Sequence, residues 1–278
     1  MIMPFAYVKP GKLDEALEAL QKENSAPLAG GTALLVDMRD GVVRPDLVVD
    51  IKGLAELNSF SVDSEKRVSI GARTTLNFLV EDKKLKACCP IISEAASVTA
   101  TYQLRNRATL VGNICKASPA ADMAPSLYIL GAKVVIIGPQ GERRVAITDF
   151  MLGPQKNVLK KGELVLRVEI PPVPKGKMAF LKKQRIKGHD LSLVNVAGLA
   201  DTQSATLRIC VGACAETPVL LEADQLYKET RDIEKLGEQV ADLALSSISP
   251  IDDVRASAEY RGDMVRVFVK RIVREICS

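Results

Sequence analysis

Residues Ala26-Pro27-Leu28-Ala29-Gly30-Gly31-Thr32-Ala33-Leu34-Leu35 decide how the rest of the chain is read. An apolar run leads into two adjacent glycines, and a helical pattern from Ala33 to Arg39 starts directly behind them. The spacing predicts a short strand, a glycine turn and a helix. Glycines in such a turn adopt positive φ at little cost and leave their N–H groups facing outward. With a helix start behind them, these amides form a nest suited to phosphate oxygens. A tight strand-to-helix turn without a ligand fits the same residues. The stretch is not a Gly-x-Gly-x-x-Gly dinucleotide fingerprint, and no Gly-Lys-Ser/Thr follows to make it a P-loop.

Upstream, Pro10-Gly11 opens an amphipathic helix with Leu13, Ala16, Leu17 and Leu20 on one face. Downstream, Leu47 to Ile51 reads as an apolar strand, followed by strands near Leu57–Val62 and Arg67–Ala72. Thr74 and Thr75 are placed to cap a helix over Leu76–Glu81. Pro90 starts a longer helix that is expected to run to about Thr101. A second glycine loop is expected at Thr109-Leu110-Val111-Gly112-Asn113, where Gly112 allows close backbone approach and Thr109 and Asn113 offer uncharged hydrogen bonds. Asp122, further on, can accept from ribose hydroxyls. A polar loop held by its own Asn and Asp side chains is the competing reading. Two glycine bends this far apart in sequence are suited to clamp one diphosphate.

Strands Lys133–Ile137 and Arg143–Ile147 flank the hairpin turn Gly138-Pro139-Gln140-Gly141. Glu163–Ile170 is a further strand, and Pro171-Pro172-Val173-Pro174-Lys175-Gly176 is the clearest linker. Beyond it come three strands, Met178–Arg185, Leu193–Ala200 and Thr206–Ala213, and then helices over Asp232–Ser246 and Ser257–Ile276. The domain boundary therefore falls near residue 173, with a first domain over 1–173 and a C-terminal domain over 174–278 made of a three-stranded sheet plus helices.

Composition excludes several classes. The 278 residues are 47% hydrophobic, enough for sizeable cores, and carry a net charge of only +4, from 38 basic and 34 acidic residues. No basic block stands out and tryptophan is absent, which argues against a nucleic-acid surface. No segment has the uncharged apolar length of a membrane span, and no signal peptide is indicated at the N-terminus. The six cysteines form no CxxC pair, and a reducing cytoplasmic setting fits them. The single histidine, His189, rules out a His-rich metal site, and no metal ligands are expected. His189 has no nucleophile beside it in any motif and reads as structural or peripheral, so no catalytic residue is assigned. The run Lys182 to Asp190, with four basic residues, suits either an anion or a solvated strand and turn.

Taken together, Ala29-Gly30-Gly31-Thr32, Arg73-Thr74-Thr75, Gln103 to Asn113, Ala117 to Asp122, and Ala258-Glu259-Tyr260-Arg261-Gly262-Asp263-Met264 resemble the FAD-binding subunits of molybdenum hydroxylases, the xanthine dehydrogenase and carbon monoxide dehydrogenase group. The resemblance covers nearly the whole chain in order. It implies an α+β fold of the PCMH type: two α/β subdomains, divided near residues 55–60, clasp FAD and are followed by a small antiparallel sheet with helices. It implies FAD contacts at Leu28, Ala29, Gly30, Gly31, Thr32, Ala33 and Leu34, and at Thr109, Val111, Gly112 and Asn113. Asp122 is similar to an acidic residue near the nucleotide, Val165 to an apolar residue beside the flavin, and Lys182 to a basic residue close to the isoalloxazine. Implied partners are a large subunit with a molybdenum cofactor and a small [2Fe-2S] subunit, with NAD or another compound accepting the electrons.

The chain departs from the family at two places. Val111 stands where many relatives have glycine, which removes one freely twisting position. Leu191 stands where many carry an aromatic residue near the flavin, which changes its shielding. No cysteine-rich insertion is present, so no iron–sulfur cluster is expected in this chain. A non-catalytic nucleotide-binding or scaffold subunit and a stand-alone flavin reductase are alternatives that the same residues leave open.

Overall fold

The computed structural model describes residues 2–186 and 190–278; His189 and the reading attached to it lie outside the described residues. Strand Leu47–Asp50, with Val48 and Val49 buried, lies between Ala6–Val8 and Ser25–Leu28 and runs parallel to both. Parallel neighbours require crossover connections. Helix Leu13–Leu20 provides the first, burying Ala16, Leu17, Ala19 and Leu20, and helix Leu34–Arg39 lies in the second.

An antiparallel five-stranded sheet follows, in the spatial order Phe60–Val62, Val68–Gly71, Leu164–Ile170, Lys133–Gly138, Gly141–Ala146. Its central strand returns from far along the chain and buries Leu164, Val165, Leu166, Val168 and Ile170, as a strand covered on both faces should. Short helices between Leu76 and Ile129 share one apolar core with this sheet, including Leu79, Ile91, Ile92, Leu110 and Leu127.

The last sheet is antiparallel and runs Lys177–Lys183, Val194–Asp201, Thr206–Gly212, Val219–Glu222. Helices Ile233–Ser247 and Ala258–Cys277 pack on it to form a second core around Val196, Ile209, Val240, Val269 and Ile272. Side-chain alternation along Lys177–Lys183 divides the two cores: Met178 and Phe180 pack on the first, Ala179 and Leu181 on the second.

Three sequence expectations are corrected. The C-terminal sheet has four strands rather than three; Val219–Glu222 has only four residues and follows Pro218, too short for a period-two signal. The helix that starts at Pro90 ends at Ser97 instead of about Thr101, because Ala100 takes a φ of 52° and Thr101 caps a new helix, Tyr102–Arg105. The expected glycine loop at 109–113 is the first part of helix Leu110–Cys115, with Thr109 as its N-cap. Among the described residues, no helix is long and apolar enough to cross a membrane.

Candidate functional site

The first glycine bend and the segment before Thr109 meet directly. A Cβ placed on Gly30 would fall 2.0 Å from the carbonyl oxygen of Arg107, so only glycine lets the turn lie against Arg107-Ala108. Gly31 has φ +76°, a conformation that L side chains rarely adopt. The Leu76 N–H donates to the Ala108 carbonyl at 2.8 Å, and Thr75 bridges Thr109, which places the Arg73–Thr75 segment on the same wall. Ala29, Gly30, Thr75, Asn106 and Thr109 thus border a cleft of about 140 Å³ together with three cations, Lys52, Arg73 and Arg107.

Those cations are only partly neutralised. Lys52 pairs with Asp50 at 2.8 Å, and Arg73 donates to the Leu54 carbonyl at 3.1 Å. Burial pushes the Asp50 carboxyl up, but hydrogen bonds from Lys52 and Tyr7 outweigh it and hold the group below its usual range. Seven positions named from sequence, Leu28 through Leu34, are all half-buried around this bend. Lys52 and Arg107 were missed. Arg107 carried a signal in its place two residues before Thr109, whereas nothing local marks Lys52.

The second segment presents its amides differently from the expected loop. The Thr109 hydroxyl accepts the Gly112 N–H at 2.9 Å, and the Thr109 carbonyl accepts the Asn113 N–H at 3.0 Å. Both amides are therefore used inside the helix cap instead of facing a ligand. Val111 turns into the core at 5% exposure, a position an apolar side chain fills well. The Asn113 side-chain oxygen accepts the Met123 N–H at 3.2 Å and ties this helix to the segment that carries Asp122.

Asp122 and Lys182 are brought together. The Asp122 carboxylate accepts from Lys182 Nζ at 2.7 Å, Ser192 Oγ at 2.5 Å and Asn195 Nδ2 at 3.1 Å. Three side chains from the last sheet and the loop before its second strand thus occupy the acceptor expected to serve a ribose. The ammonium of Lys182 also donates to the Val98 carbonyl at 3.1 Å. It borders a groove of about 440 Å³ with Val98, Phe180 and Gln184. Val165 is 3% exposed, next to the bulge between Val165 and Arg167, and packs in the first core. Leu191 is exposed.

A parallel and an antiparallel sheet, a glycine-shaped cationic cleft and a lysine groove beside the four-stranded sheet are suited to binding an anion. Residues 3–173 match the family described as "FAD binding domain in molybdopterin dehydrogenase", and residues 179–276 match "CO dehydrogenase flavoprotein C-terminal domain". The chain belongs to the FAD-binding medium subunits of the molybdenum hydroxylase family. It is 32% identical to the glyceraldehyde dehydrogenase medium chain of Sulfolobus acidocaldarius, with 98% of each chain covered. It is 31% identical to the xanthine dehydrogenase FAD-binding subunit of Escherichia coli O157:H7, over 97% of this chain and 95% of the relative. Among solved structures, reconstituted CO dehydrogenase from Oligotropha carboxidovorans superposes with a TM-score of 0.92 at 30% identity, covering 99% and 98% of the two chains.

Proposed function

We propose that this chain is the electron-transfer flavoprotein of a molybdenum hydroxylase complex, with the FAD-binding domain over residues 1–173 and a C-terminal domain over 174–278. Bound FAD supplies the redox chemistry by which single electrons, drawn from a molybdenum cofactor in a large subunit and relayed by a small [2Fe-2S] subunit, pass in pairs to NAD or another acceptor. The protein's own contribution is binding, orientation and charge. A reducing cytoplasmic setting is part of the same reading and agrees with free thiols at Cys88, Cys89, Cys115, Cys210, Cys214 and Cys277.

One observation carries the proposal: the Gly30 bend seats against the Arg107 backbone, so that the two glycine segments border one cleft. The bend at Leu28–Leu34 offers main-chain amides to the diphosphate, while Lys52, Arg73 and Arg107 balance its charge. Thr109 borders the cleft as the cap of a helix start, with Val111, Gly112 and Asn113 supporting it from behind. Asp122 and Lys182 stand on the flavin side, where a cation favours an anionic reduced ring, and Val165 provides apolar contact.

The test is flavin retention. The purified chain should be yellow, and Gly30→Leu should lose most of its FAD while Leu191→Phe keeps it. Full flavin content in Gly30→Leu rejects the clamp, and a colourless wild-type chain that takes up no added FAD favours a scaffold subunit. Recovery of the tagged chain with molybdenum- and iron-containing partners separates a relay subunit from a stand-alone flavin reductase.

A further inference from the structure

Lys182 does not line its groove alone. Gln184, two residues on, borders the same space, and its side-chain oxygen is closed to solvent with no hydrogen-bond partner among the described residues. A buried acceptor left unpaired is destabilising, and a donor from a bound group relieves that cost. The alternation along Lys177–Lys183 explains the pairing. Met178 and Phe180 face the first core, Ala179 and Leu181 face the second, and Lys182 and Gln184 continue the first series. Two polar side chains thus leave the edge strand toward one groove, separated by about two residue rises, roughly 7 Å along the backbone.

Their chemistry is complementary. An ammonium has three N–H donors. Lys182 spends one on Asp122 and one on the Val98 carbonyl, which leaves one for a ligand carbonyl. Gln184, which borders the same groove, carries an acceptor oxygen. A donor next to an acceptor recognises a group in which a carbonyl adjoins an N–H.

We propose that Gln184 is a flavin-positioning residue, accepting the N3–H of the isoalloxazine pyrimidine edge while Lys182 donates to the adjacent ring carbonyl. The inference rests on the FAD reading above and adds the residue that sets ring registration. No covalent or redox step is involved. Phe180 adds an apolar surface to the same groove.

The experiment titrates the flavin-free full-length chain with FAD and with FAD methylated at N3, which cannot donate there. The wild-type protein should prefer FAD by about 10-fold, the size of one well-made buried hydrogen bond. Gln184→Met, close in size but unable to accept strongly, should bring the ratio near one by weakening FAD and not the methylated analogue. Gln184→Glu keeps an acceptor and should keep the preference. Equal wild-type affinity for the two flavins overturns the assignment, whatever the variants do. An undiminished preference in Gln184→Met also overturns it. A wild-type chain that binds neither flavin sinks the FAD reading itself, a result distinct from either.

Discussion

The ammonium of Lys182 and the carboxylate of Asp122, 60 residues apart in the chain, meet at 2.7 Å with side-chain exposures of only 4% and 7%. One comes from the edge strand of the last sheet, the other from the segment before helix Ala124–Ile129. The pair therefore fastens the C-terminal sheet to the flavin-binding part and fixes where the lysine charge stands. Removing one member of a buried pair strands the other, at a cost of about 3–5 kcal/mol, whereas replacing both by apolar residues is far milder. Asp122→Leu and Lys182→Met should each lower the urea midpoint strongly, and the double variant should recover part of the loss. Additive losses in the double variant would show that the pair is not an energetic unit.

Thr109 stabilises the wall of the cleft through its cap. Its hydroxyl, on a residue 4% exposed, accepts the Gly112 N–H. Thr109→Val keeps the shape and deletes the acceptor, so stability should fall by about 1 kcal/mol, with Thr109→Ser close to wild type. Denaturant unfolding of the flavin-free chain reads this directly. Identical midpoints for the valine and serine variants would remove the cap from the account.

Asp253 should make stability depend on acid. Burial raises its carboxyl pKa, but the Arg255 guanidinium and the backbone N–H groups of Arg255 and Ala256 outweigh burial and hold it far below the ordinary value of 3.8. The buried Arg261 also donates to it at 2.9 Å and reaches the Leu193 carbonyl at 2.7 Å. A folded-state value below the unfolded one gives stability that is complete above about pH 4 and is lost as pH falls toward the folded value. Asp253→Asn should be less stable at neutral pH and show a flatter decline in acid. Parallel pH profiles for variant and wild type would contradict this origin.

Thiol reactivity should follow burial. Cys89 is fully buried, and burial, with a smaller contribution from Cys88, pushes its thiol up to about 12. Burial raises Cys214 to about 12 as well, against a partial offset from Arg261. Alkylation depends on the thiolate and on access. In native protein at mildly alkaline pH, mass spectrometry after iodoacetamide treatment should find Cys89 and Cys214 unmodified, and denaturation should expose both. Rapid native labelling of Cys89 would mean that helix Pro90–Ser97 opens far more readily than its packing indicates.

Amino-acid order alone settled much of this protein. The glycine bend, the hairpin at Gly138–Gly141 and the long C-terminal helices carry strong local signals: turn chemistry, alternation and amphipathic spacing operate over a few residues. The ordered set of weak motifs identified the family, because their joint order is specific even where each piece is not. The second glycine segment misled, since Thr-x-x-Gly reads equally well as a loop or as a capped helix start, and only the Thr109 hydroxyl bound to the Gly112 N–H decides between them. Short strand Val219–Glu222 also left no pattern, as its pairing with Thr206–Gly212 is what makes it a strand. Tertiary structure alone decided that Lys52, Arg73 and Arg107 share one cleft, that Asp122 is engaged by Lys182, and that the Gln184 oxygen is buried without a partner among the described residues. These are relations between distant segments, set by how the sheets pack, and no local spacing encodes them.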